Sequence, residues 1–91
     1  MPTAFIKVYG KVQGVFFRHF TVIKANELGV TGFVLNAADG TVEITTQASQ
    51  EKLDEFIRWC HHGPERARVD KVEVRFVEEN SSFHSFEVRY D

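Results

Sequence analysis

The stretch AFIKVYGKVQGVFFRHFTVIKANELG, residues 4–29, passes from the two-residue period of a strand to the period of a helix. From Ala4 to Gly10, Ile6 and Val8 fall on one face and Phe5, Lys7 and Tyr9 on the other, the alternation of a half-buried strand. From about Arg18 to Leu28 the pattern is helical. Phe17, Thr21, Ala25 and Leu28 share one face, and Gly29 suits the C′ position that ends the helix. Phe20 and Ile23 fall off that stripe, and spacing alone leaves their burial open. Gly10–Phe17 forms the loop between the two elements.

The rest of the chain repeats the strand and helix signals. Val30–Asn36 reads as a second strand, Ala38–Gly40 (ADG) as a hairpin turn, and Thr41–Gln47 as a third strand with Val42 and Ile44 on one face. Ser49 is an N-cap candidate for a second helix reaching about His62, with Glu51 in its first turn. Leu53, Phe56, Ile57 and Cys60 form its apolar stripe, and Gly63-Pro64 stops it. Val69–Val77 alternates, with Val72, Val74 and Phe76 opposite Lys71, Glu73 and Arg75. Glu78–Ser82 is polar and reads as a disordered connection. Phe86, Val88 and Tyr90 alternate with Glu87 and Arg89 in a last strand. The order βαββαβ with an extra C-terminal strand predicts an α+β, ferredoxin-like two-layer sandwich. Two helices would cover one face of a mostly antiparallel sheet, in a single domain spanning residues 1–91. That architecture hosts many functions, so function has to come from a site.

Composition excludes several classes. The 91 residues carry 11 basic and 13 acidic side chains, interspersed, for a formal charge of −2. A nucleic-acid binder would show a basic face, and a polybasic membrane anchor a basic cluster. No apolar run approaches the roughly 20 residues of a membrane span, and the N-terminus does not read as a signal peptide. The one cysteine permits no internal disulfide and suits a reducing compartment. These features predict a cytoplasmic protein with neither nucleic-acid nor membrane partners.

The loop carries the functional signal. The first amides of a helix have no intrahelical partner, and their aligned dipoles favour an anion. Gly14 permits positive φ and close approach of the backbone to a ligand. Arg18 adds a planar cation that can grip two oxygens of a phosphate or carboxylate. A permanent cation at the electropositive end of a helix is a local misfit that an anion relieves. Taken alone, strand-Gly-Arg-helix favours the plainer reading of a surface arginine after an ordinary turn, and it is a weaker signal than a P-loop.

Longer segments are more specific. GKVQGVFFR (10–18), LGVTGFVLNAADGTVEI (28–44), HGPERARVDKVEV (62–74) and FHSFEVRY (83–90) resemble the acylphosphatase family over essentially the whole chain. The pattern VQGVxFR is met by Val12, Gln13, Gly14, Val15, Phe17 and Arg18, with Phe16 at the variable position. The pattern G-[WF]-V-x-N is met by Gly32, Phe33, Val34 and Asn36. Phe33 replaces the commoner tryptophan, and Leu35 stands where a basic or polar residue is frequent. The resemblance implies hydrolysis of acyl phosphates to a carboxylate and inorganic phosphate, without metal or cofactor, by a monomer. Phosphate would be both product and inhibitor. By position, Arg18 would bind the phosphoryl group and the amides of Gln13, Gly14, Val15, Phe16, Phe17 and Arg18 would cradle it. Asn36 would hold the attacking water. The resemblance also implies central first and third strands, with the end of the second strand near the loop.

Other chemistry-bearing residues read as structural. Cys60 lies on an apolar stripe and Trp59 reads as packing. His61 and His62 are adjacent, so they point in different directions and make no metal face. His19 follows Arg18 and could tune an anion site. Asp39, Glu43, Asp70 and Glu73 read as solvated charges. The alternative function is a non-catalytic anion- or peptide-binding regulatory module on the same fold, which would keep Arg18 but have no need of Asn36.

Overall fold

A computed structural model describes residues 2–78 and 82–90, so the middle of the polar Glu78–Ser82 connection lies outside the described residues. The element order is β1 (Pro2–Lys11), α1 (Phe17–Leu28), β2 (Thr31–Asn36), β3 (Val42–Gln47), α2 (Gln50–His62), β4 (Arg68–Glu78) and β5 (Phe86–Val88). The strands form one mixed sheet in the order β4-β1-β3-β2-β5. All pairings are antiparallel except β2 with β5. This is the expected ferredoxin-like arrangement, with β1 and β3 inside the sheet.

The core follows the predicted faces. Ala4, Ile6 and Val8 of β1, Val34 of β2, and Val42 and Ile44 of β3 are buried together with Leu53, Phe56 and Cys60 of α2. The α1 stripe is buried as expected at Phe17, Thr21, Ala25 and Leu28, while Phe20 and Ile23 are exposed. Thr21 stays on the buried face because its hydroxyl donates to Phe17 O at 2.7 Å. The Gly29 amide closes α1 against Ala25 and Asn26 carbonyls, and the Ser49 hydroxyl accepts from Lys52 N at the start of α2.

Two expectations change. Phe76 shares a face with Val72 and Val74 but is 48 % exposed, because β4 is an edge strand with one neighbour. The last strand ends at Val88 rather than Tyr90. The Arg89 amide still donates to Val34 O at 2.9 Å, after which the chain leaves the sheet.

The topology positions the site. β1 and β2 both run antiparallel to β3, so both end at the same edge of the sheet. Val42 pairs with Val8 on one side and with Asn36 on the other. Asn36 therefore stands level with Val8, near the end of β1 and two strand spacings or about 10 Å away. The strand runs further than expected, with Gly10 and Lys11 paired to Val69 and Arg68 of β4, so the loop to α1 starts after Lys11, just beyond that level.

Candidate functional site

The loop between β1 and α1 is held from below by aromatic packing. The buried Phe17 ring lies 5.6 Å from the Trp59 ring of α2, and Trp59 stacks on Phe56, which meets Phe86 of β5 at 5.9 Å. Phe17 also lies against Gly63, where an added Cβ would come within 2.6 Å of its ring. These contacts fix the first turn of α1 against both α2 and the sheet.

Above that anchor the backbone curls. Gly14 has φ 75°, and Phe16, the N-cap of α1, has φ 64° and ψ 24°. Phe16 is the one non-glycine residue with positive φ among the described residues, a conformation costing about 1 kcal/mol. Its side chain cannot cap the helix, so the first-turn amides are not satisfied by a hydroxyl or carboxylate, as most N-caps would arrange. Among the described residues, none of the amides from Gly14 to Arg18 donates to a backbone carbonyl. Left-handed residues alternating with ordinary ones turn successive N–H groups toward one concavity, the form of an anion nest.

Arg18 is half-buried and takes part in no ion pair among the described residues. Its guanidinium lies 5.2 Å from the centroid of the Tyr90 ring, a cation–π contact that restrains it without neutralising it. Gly14, Phe16, Phe17, Arg18, His19, Asn36 and Tyr90 line one cavity of about 370 Å³. The half-buried Asn36 amide makes no side-chain hydrogen bond among the described residues, so both its donors and its acceptor are available there.

Gln13 joins the two halves of this cavity. Its Nε2 donates to Ala37 O at 2.8 Å and to Thr41 O at 3.0 Å, fixing the loop to the hairpin turn that follows Asn36. The turn has its own clasp. Ala37 N donates to Thr41 O at 2.9 Å. Asp39 Oδ1 accepts from the Thr41 hydroxyl at 2.6 Å and the Thr41 amide at 3.1 Å, and Asp39 Oδ2 meets Lys7 Nζ at 2.9 Å. The Thr41 hydroxyl, then Lys7, hold the Asp39 carboxyl well below the usual carboxylate range.

Thus the predicted residues Arg18, Asn36 and the loop come together, and His19 joins them at the rim. Two side-chain roles lay outside the sequence reading. Gln13, expected to contribute its backbone amide, also bridges loop and turn through its side chain. Tyr90, assigned to the last strand by alternation, lies past the end of β5 with its ring over Arg18. The remaining candidates stay apart. Cys60 is fully buried, and burial pushes its thiol far up. His61 and His62 lie exposed in the last turn of α2. Among the described residues no three His, Cys, Asp or Glu side chains converge. No helix of the described residues is long and apolar enough to cross a membrane.

Comparison with known proteins bears on the chain as a whole. The family model described as acylphosphatase matches residues 4–88. An acylphosphatase of Geobacter sulfurreducens is 46 % identical over 87 residues, covering 96 % of each chain. The crystal structure of acylphosphatase from Bacillus subtilis superposes with a TM-score of 0.96 at 31 % identity, covering 99 % of this chain and 100 % of that one. An acylphosphatase structure from Coxiella burnetii gives a TM-score of 0.91 at 34 % identity, covering 96 % and 90 %. The chain therefore belongs to the acylphosphatase family, whose members are hydrolases of acyl phosphates.

Proposed function

We propose that this protein hydrolyses acyl phosphates by transferring the phosphoryl group directly to water, with Arg18 and the amides of Gln13–Arg18 as the phosphoryl site and Asn36 as the residue that orients the water. The observation that carries this reading is the shared cavity lined by Arg18, the loop and Asn36. Phosphoryl transfer needs little covalent help from the protein. It needs positioning, and stabilisation of charge on the equatorial oxygens. An acyl phosphate is a mixed anhydride, so its carboxylate leaves without a strong general acid.

The water oxygen bonds to phosphorus as the phosphorus–acyl oxygen bond breaks, and that electron pair leaves on the carboxylate. Asn36 is no base near neutral pH. Its amide orients the water, and a phosphoryl oxygen takes the proton. No metal ion or cofactor takes part. Residues 1–91 act as one domain and as a monomer, on a small molecule in a reducing cytoplasm, with inorganic phosphate as product and competitive inhibitor. A flat pH–rate profile around neutrality supports proton transfer to the phosphate, and a steep limb at a histidine pKa overturns it.

The test is hydrolysis of benzoyl phosphate with EDTA present and phosphate titrated as competitor. Turnover insensitive to EDTA and inhibited competitively by phosphate is the expected result. Asn36→Ala should lower kcat by roughly two orders of magnitude, about 3 kcal/mol of barrier, while leaving phosphate inhibition in place. Arg18→Ala should weaken both. Phosphate inhibition unchanged in Arg18→Ala, or full kcat in Asn36→Ala, would overturn the roles assigned.

A further inference from the structure

We propose that the acyl group of the substrate lies in a second, apolar groove that opens from the phosphate cavity across Phe16, and that this groove favours aryl and medium-chain alkyl groups over acetyl. This inference rests on the reading of Arg18 and the loop amides as the phosphoryl site.

Phe16 lines both spaces. The residue, left-handed in its backbone, is 64 % exposed. Phe20 and Ile23 follow at helical spacing and are 42 % and 47 % exposed. Helix α1 thus carries two apolar stripes. Phe17, Thr21, Ala25 and Leu28 face the core, while Phe16, Phe20 and Ile23 border a groove of about 470 Å³ whose other walls include Trp59 and Pro64. That volume lies within the range of small-molecule sites, and the mostly apolar lining suits an uncharged acyl group.

The charges at its rim do not recruit a second anion. Lys24 is paired with Glu27 at 3.2 Å, and Glu65 accompanies Arg66. Direction fits as well. In-line displacement sends the carboxylate away from the attacking water. Asn36 lines the phosphate cavity but not the groove beyond Phe16, so an acyl group lying across Phe16 leaves the water's side clear.

Burying a methylene fully is worth about fourfold in affinity, and in an open groove roughly half of that is realised, near twofold per methylene. From acetyl to hexanoyl phosphate kcat/KM should therefore rise by roughly an order of magnitude, and the gain should fall in KM because the contact is made equally in the ground and transition states. The experiment measures kcat and KM for acetyl, butanoyl, hexanoyl and benzoyl phosphates, on the wild type and on the double variant Phe20→Ser, Ile23→Ser. In the variant the chain-length gain should largely vanish, with acetyl phosphate turnover and inhibition by inorganic phosphate unchanged. Methyl-, butyl- and hexylphosphonate as competitors of the wild type provide a readout that needs no variant, with inhibition expected to strengthen along the series. A flat wild-type series, or a gain that survives in a folded double variant, overturns the acyl subsite while hydrolysis of acetyl phosphate stands. Absence of turnover on every acyl phosphate would overturn the phosphoryl site and the groove together.

Discussion

Replacing Gln13 with methionine removes both side-chain donors at nearly constant volume. The bonds lost are those to Ala37 O at 2.8 Å and Thr41 O at 3.0 Å, both partly buried. A neutral hydrogen bond contributes about 0.5–1.5 kcal/mol net, so the pair bounds the loss at roughly 1–3 kcal/mol. The lower half of that range applies, because neither acceptor is orphaned. Thr41 O keeps Ala37 N at 2.9 Å, and Ala37 O keeps Gly40 N at 3.2 Å. A loss of about 1–2 kcal/mol lowers Tm by roughly 4–16 °C in a domain of this size. The kinetic effect is separate. Gln13 ties the β1–α1 loop, the proposed phosphoryl site, to the residue after Asn36, so its loss lets the two drift, and a misplacement of about 1 Å can cost 100-fold in rate. The expected outcome is a kcat roughly tenfold to 100-fold lower, with inhibition by inorganic phosphate changed less than about threefold because Arg18 and the loop amides remain. Thermal unfolding and benzoyl phosphate kinetics read the two effects. A lowered Tm with unchanged kcat would refute the positioning role, and an unchanged Tm would refute the contribution of the bonds themselves.

Phe16→Asn should raise Tm by roughly 2–8 °C, since asparagine tolerates the left-handed conformation and relieves about 0.5–1 kcal/mol of strain while little burial is lost; calorimetry checks this. Asp39→Asn should change the acid dependence of stability. The folded-state pKa of Asp39 is depressed, so its contribution is present above the unfolded value near 4 and is lost as pH falls through the folded one. The Tm gap between wild type and variant should hold from about pH 5 to 8 and shrink below about pH 4, and a gap independent of pH down to acid would contradict the assignment.

Much of this molecule was legible in its sequence because local rules and global fold agree. The alternation of Ile6 and Val8, the spacing of Phe17, Thr21, Ala25 and Leu28, and the caps at Gly29 and Ser49 each state a periodicity or a backbone requirement that neighbouring residues alone satisfy. The loop around Gly14 and Arg18 was legible for a similar reason, since a helix start and a cation adjoin in the chain. Three things were decided only by tertiary structure. Asn36 gains its place because β3 lies between β1 and β2 and, through Val42, sets Asn36 level with Val8 near the end of β1. Gln13 and Tyr90 act across 24 residues or more of sequence separation, where no period reports on contact. Phe20 and Ile23 are apolar residues whose exposure depends on the space between α1 and the turn after α2. Sequence determined which residues could form strands, helices and the loop that carries Arg18. The sheet order determined which of them meet, because contacts between strand ends and distant side chains depend on topology, which local periodicity does not encode.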